Sequence, residues 1–180
     1  PNLAAYQRLI ADGAQVIVTV DNGVSGHEAV AYAMSQGVDV IITDHHEMGP
    51  TLPDAYAIVH PRHPEGDYPF ADLSGVGVAF KLAQALLTDG EPVQDKSELP
   101  TEMLDLVALG EIADMVSLTD ENRTLVSWGL KQMAESPRPG IAALLKSAGQ
   151  LPEQPIISET VGFKLAPRLN AVGRLGDAQL

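Results

Sequence analysis

The 180-residue sequence contains no cysteine, which rules out a disulfide scaffold and a thiolate-ligated zinc site. No apolar run approaches the roughly 20 residues needed to cross a bilayer. The N-terminal Pro1-Asn2-Leu3-Ala4-Ala5 lacks the basic stretch of a secretory signal. A cytoplasmic protein is the resulting expectation. No internal repeat or low-complexity segment is visible, and no G-x-G-x-x-G follows either early strand pattern, so a Rossmann-type cofactor binder lacks its fingerprint. Basic residues are scarce: 11 Lys and Arg stand against 24 Asp and Glu, for a net charge of −13 and a pI near 4.5. Backbone phosphates are ordinarily held by clustered Lys and Arg, so this segment is not a self-sufficient nucleic-acid binder. The surplus carboxylates mostly form a solvated surface. They are also compatible with a site that collects divalent cations, which then hold phosphate.

What the sequence does have is core material: 45% of its residues are hydrophobic, and its length suits one sizeable domain with a small appendage. The first stretch alternates helix and strand patterns. Leu3 to Asp12 reads as the end of a helix, closed by Gly13. Residues 15–20 and 38–43 are β-branched runs continuous enough for buried parallel strands. Between them Ser25 is expected to cap a helix that ends near Gln36, with Gly37 as its stop. Ala55 to His60 suggests a short third strand, ended by Pro61. A helix is expected over Gly75 to Leu87, and a polar surface connection over Thr88 to Pro100. Helices follow over Glu102 to Ala113 (apolar nearly all round, hence buried), Glu121 to Glu135 and Gly140 to Ala148. After Pro152 and Pro155 comes a last segment, Ser158 to Leu180. Strands separated by short helices imply βαβ units. The expected fold is α/β, a parallel sheet flanked by helices over residues 1–118, followed by a helical segment over 119–180.

Five local patterns carry chemistry. Asp21, in Thr19-Val20-Asp21-Asn22-Gly23, stands at the carboxyl end of a strand, the edge where ligands bind in open parallel sheets. It could equally initiate a turn with Asn22-Gly23. Asp44-His45-His46 ends the next strand, and one βαβ unit would bring it to the same edge as Asp21. Imidazoles and carboxylates together suit a divalent metal. Side chains of an extended segment alternate, so one histidine should ligate while its neighbour faces substrate. Asp44 could orient an imidazole by accepting its N–H. Asp114 closes an apolar helix and, if buried there, needs a partner such as a metal or Arg123; Glu111 is a rival. The glycines of Ser74-Gly75-Val76-Gly77 leave backbone N–H groups open to an anion, although close packing of helix on sheet explains them as well. Arg168, Asn170 and Arg174 form a polar-basic group suited to phosphate or to surface pairing.

Taken together, and in this order along nearly the whole chain, these motifs resemble the DHH phosphoesterase superfamily, whose signature is Asp44-His45-His46. The glycine-rich segment 75–80 and the 167–175 segment resemble its single-strand DNA exonuclease branch. The resemblance implies two divalent ions, Mn²⁺ or Mg²⁺. It makes Asp21 their bridge, with His45 and Asp114 completing the shell of one ion. His46 would face the scissile phosphate, Asp44 would support the histidines, and Asn170, Arg174 and Arg168 would contact substrate phosphate. It further implies 5′-to-3′ hydrolysis of single-stranded DNA to mononucleotides in repair and recombination, with a single-strand binding protein or helicase as possible partners. An upstream aspartate-rich motif is expected before Pro1 and a further domain after Leu180, so the 180 residues alone are expected to be weak or inactive. The alternatives are other superfamily branches (oligoribonuclease, cyclic-dinucleotide phosphodiesterase, pyrophosphatase) or a non-enzymatic homologue.

Overall fold

The computed structural model describes residues 2–88, 90 and 100–175, with side chains through residue 171. The expected connection over 88–100 lies largely outside the described residues. The chain divides into two compact units, Pro1–Gln94 and Asp95–Leu180.

The first unit is built on three strands: β1 (Val16–Val20), β2 (Asp39–Thr43) and β3 (Ala57–Val59), in the order β1-β2-β3, with both pairings parallel. The register sets Val20 beside Thr43 and Thr43 beside Val59, so all three strands end level at their carboxyl edge. Helix α1 (Leu3–Ala11) precedes β1. Asn2 caps it by accepting from the Ala4 N–H, and Gly13 ends it at φ +94°. Helix α2 (His27–Ser35) crosses from β1 to β2. The β2–β3 crossover is irregular loop, not the helix that a strict βαβ reading expects.

Two local expectations are corrected. Ser25 does not cap α2: Gly26 holds that position, and no side chain caps the helix, because the turn closes through backbone, Gly26 N–H to Gly23 O. Strand β1 is not buried throughout. Ile17 and Thr19 face inward, while Val16, Val18 and Val20 are about half exposed. A continuous apolar run does not say how many faces are covered.

Tyr6, Ile17, Ala29, Val30, Ala33, Val38, Val40 and Ile42 form the core of this unit. Burial of each Val or Ile among them stabilises by about 1.5–3 kcal/mol, and the two alanines let α2 pack close. One polar atom spoils this core: the buried Tyr6 hydroxyl has no hydrogen-bond partner among the described residues. Burial raises its phenol pKa. A raised acid leaves stability intact below the ordinary phenol value near 10 and loses it as pH rises through the folded value. Tyr6→Phe is therefore expected to match or exceed the wild-type stability at neutral pH, by up to about 1 kcal/mol. It should also lose that alkaline fall. Thermal melts across the alkaline range check both.

Helix α3 (Gly75–Leu87) follows its expected bounds; Ser74 caps it by accepting from the Gly77 N–H, and it packs on β1 and β2.

The second unit is helical: α4 (Leu104–Ala113) after a 3₁₀ turn (Thr101–Met103), α5 (Asp120–Glu135), α6 (Pro139–Ser147), a short turn α7 (Ser158–Thr160), a π-helical stretch (Val161–Leu165) and α8 (Ala166–Leu175). Helices α4 and α5 cross closely, because a Cβ at Gly129 would overlap the Leu104 carbonyl and the Ala108 Cβ. This intimate contact is why α4 groups with the helices after it rather than with the sheet. Helix α4 is not buried all round, since Leu106 is 43% exposed. Its fully buried acids are Asp105, gripped through both oxygens by Arg138 Nε at 2.8–2.9 Å, and Glu111.

Candidate metal centre

The carboxyl edge of the sheet assembles the site. The parallel ladder continues past the strands: the Asp21 N–H donates to Thr43 O at 2.9 Å, and the Asp44 N–H to Val59 O at 3.2 Å. Asp21 then turns at φ +62°, a left-handed conformation that aspartate tolerates better than most residues. Asn22 holds the turn by donating to Val20 O, and Thr19 Oγ1 donates to Asn22 O. A Cβ at Gly23 would crowd Thr19 Oγ1 at 2.7 Å and Ile42 Cγ2 at 2.9 Å, so only glycine lets the chain lie this close to β2.

The turn puts Asp21 Oδ1 3.1 Å from His45 Nε2. One ligand atom from each of Asp21, His45 and His46 lies within 4.8 Å of the others, and the two imidazole rings are 4.6 Å apart, tilted by 55°. This is a mixed oxygen–nitrogen donor set around a common point, the chemistry a divalent cation such as Mn²⁺ fits. The expected separation of the two histidines by strand alternation is not what the fold does. Regular strand ends at Thr43 and the chain bends at His46, so both rings converge with Asp21. His46 is also open to solvent, its side chain 58% exposed against 14% for His45, so a substrate can reach it.

Asp44 is the buried organiser. One oxygen accepts from the Val24 N–H at 2.9 Å. The other accepts from the N–H groups of His45 and His46 and lies 2.7 Å from His46 Nδ1. Burial alone would raise this carboxyl, but the bonds from Val24, His46 and His45 outweigh it and hold its pKa below the ordinary aspartate value. An ionised Asp44 fixes the His46 tautomer, with Nδ1 protonated and the lone pair on Nε2.

Helix α3 closes the site from below. Gly75 lies so near that a Cβ there would overlap the Cβ, Cγ and Oδ1 of Asp21. The anion that this glycine admits is the chain's own carboxylate, placed where the helix dipole favours negative charge.

Residues 2–111 match the family model described as "DHH family, N-terminal domain". The chain belongs to the DHH family. Among its relatives, it is 50% identical over 179 residues to the single-stranded-DNA-specific exonuclease RecJ of Bacillus subtilis, covering 99% of this chain and 21% of that protein. To RecJ of Escherichia coli it is 48% identical over 174 residues, covering 93% of this chain and 30% of that protein. A crystal structure of RecJ from Thermus thermophilus in complex with Mn²⁺ superposes with a TM-score of 0.81 at 34% identity, over 99% of this chain and 26% of that one. This DHH-family chain thus spans less than a third of the length of these relatives.

The other expected site residues lie in the second unit. Asp114 caps the C-terminal end of α4 and is exposed, not buried as its apolar flanks suggest. The buried face of α4 runs through Leu104, Asp105, Val107, Ala108, Glu111 and Ile112, and Asp114 falls beyond its last turn. Arg168 and Asn170 lie exposed on α8, where the Arg168 guanidinium donates to Lys164 O; the Arg174 side chain is outside the described residues. Sequence reading missed two residues bound to the histidine loop, His60 and Arg62. Their isolated positions after β3 carry no motif that would have marked them. Among the described residues no helix is long and apolar enough to cross a membrane.

Proposed function

We propose that this chain is the metal-binding core of a 5′-to-3′ exonuclease that hydrolyses single-stranded DNA with two divalent ions, Mn²⁺ or Mg²⁺. The observation that carries the reading is the convergence of Asp21, His45 and His46 at one sheet edge, in a chain half identical to an exonuclease of that specificity. Two such ions clamp a phosphoryl group and lower the pKa of the attacking water. In this reading Asp21 bridges them and His45 and Asp114 complete the shell of one. His46, on the solvent side, faces the scissile phosphate and shares the ion-facing position with His45. Asp44 keeps His46 in a single tautomer and orientation. Arg168, Asn170 and Arg174 hold substrate phosphates further along the strand.

In this reading the catalytic core takes in residues 1–118, followed by the helical segment over 119–180. The net charge of −13 then places the burden of holding DNA phosphate on the ions and on the rest of the protein. A role in repair and recombination in the bacterial cytoplasm, beside a single-strand binding protein or a helicase, belongs to the same reading.

The test is hydrolysis by the intact protein of single-stranded DNA labelled at either end. Mononucleotides should leave the 5′ end with Mn²⁺ or Mg²⁺, and a chelator should stop the release. Faster hydrolysis of short RNA, a cyclic dinucleotide or pyrophosphate would assign the chain to another branch. No hydrolysis of any of these would leave a non-enzymatic homologue.

A further inference from the structure

The segment that carries the histidines has no regular secondary structure, so something other than a ladder must set its backbone. Residues 44–56 contain neither helix nor strand. Asp44 holds the loop by its N–H groups, as described above. The opposite, carbonyl side is held by two side chains that arrive from beyond β3. His60 Nε2 lies 2.8 Å from His46 O, and Arg62 Nη2 donates to His45 O at 2.6 Å.

The chemistry of His60 is determined by its neighbours. The backbone N–H of Arg62 donates to His60 Nδ1 at 3.0 Å, so Nδ1 is the acceptor and Nε2 carries the hydrogen given to His46 O. The residue is buried, 6% exposed, so the ring is held in this orientation by these two backbone contacts. Both nitrogens are therefore committed to backbone, and His60 is not itself a metal ligand. A histidine with its two nitrogens so divided can only transmit position.

We infer that His60, assisted by Arg62, is a positioning residue for the metal centre: it locks the carbonyl side of the His45–His46 loop and so sets where the two imidazoles stand. This rests on the reading of Asp21, His45 and His46 as a metal site. Support groups around metal-binding histidines typically account for about 10- to 100-fold in metal affinity or activity. Two clamps hold successive carbonyls, and Asp44 holds the successive N–H groups, so the backbone is fixed on both sides at the two ligating residues. Beside His60 lies a cavity of about 460 Å³, lined also by Ile58, Tyr68, Leu73 and Val78, so a substituted side chain has room there.

The test is titration of the intact protein with Mn²⁺ alone, following the electron paramagnetic resonance signal of the free ion. His60→Leu, which keeps the bulk and removes both hydrogen bonds, should weaken Mn²⁺ binding by about 10- to 100-fold. His60→Gln, which can still donate to His46 O, should return to within a few-fold of wild type. Arg62→Ala, on an exposed side chain, should weaken binding by a factor of a few, and it decides the matter if His60→Leu does not fold. Wild-type affinity in His60→Leu, or a Gln variant as weak as the Leu variant, overturns the inference. If His60→Leu is unfolded, an unchanged Arg62→Ala overturns it. A wild-type protein that binds no Mn²⁺ at all overturns the metal site itself, and the clamp with it. Mn²⁺ binding without DNA hydrolysis leaves the clamp standing and removes only the nuclease reading.

Discussion

Asp21→Asn should lower metal-dependent hydrolysis by the intact protein by more than about 100-fold while leaving its melting temperature nearly unchanged. The two effects separate because the side chain does two different things. Structurally it does little: it is about half exposed, and its left-handed φ of 62° suits asparagine as well as aspartate. Surface changes of this kind usually stay within about 0.5 kcal/mol. Chemically the loss is severe. The amide would keep the shape of the carboxylate and remove the negative charge that faces His45 Nε2 and the cation pocket. Removing a side chain that merely supports a metal ligand already costs about 10- to 100-fold, so removing the carboxylate proposed to bridge the ions should exceed that range. Initial rates on single-stranded DNA at saturating Mn²⁺, paired with thermal melts, check the prediction. A variant with near-wild-type rates would show that Asp21 only initiates a turn.

Gly75→Ala should be nearly as damaging, although it changes no charged or ligating group. On helix propensity alone, alanine at the start of α3 would help by up to about 1 kcal/mol. The added methyl, however, occupies the space of the Asp21 side chain, overlapping its Cβ, Cγ and Oδ1. Either α3 moves off the sheet or Asp21 swings away from His45. A misplacement of about 1 Å in a reacting constellation can cost on the order of 100-fold in rate. The expected result is a loss of roughly that size in metal-dependent activity, with weaker Mn²⁺ binding. If the protein tolerates alanine with full activity and wild-type Mn²⁺ affinity, the close approach of α3 to Asp21 is not part of the working site.

Much of this arrangement was legible from residue order. Asp21 and Asp44 each follow a β-branched run, and parallel strands joined by one helix must bring their carboxyl ends to one edge. Helix α3 follows its expected bounds to the residue, and its glycines mark a close approach. What those glycines approach was not legible, since only the fold reveals that Asp21 fills the space. The convergence of the two histidine rings was not legible for a definable reason: alternation holds within a strand, and the strand stops one residue before Asp44. The burial assigned to Asp114 failed similarly, because α4 turns its inward face through Asp105 and Glu111 and ends before position 114. His60 and Arg62 were invisible. Each acts through a single hydrogen bond to a backbone carbonyl some 14 to 17 residues away, and no local pattern encodes such a contact. The Arg138 grip on Asp105 was missed on the same grounds, the partners being 33 positions apart in sequence.

The most direct measurement is anomalous diffraction at the manganese edge from crystals of the intact protein grown with Mn²⁺. A peak within coordination distance, about 2.1 Å, of an Asp21 carboxylate oxygen and an imidazole nitrogen of His45 or His46 is what the account predicts. Manganese bound only elsewhere, with these three side chains left in contact with one another alone, would contradict it.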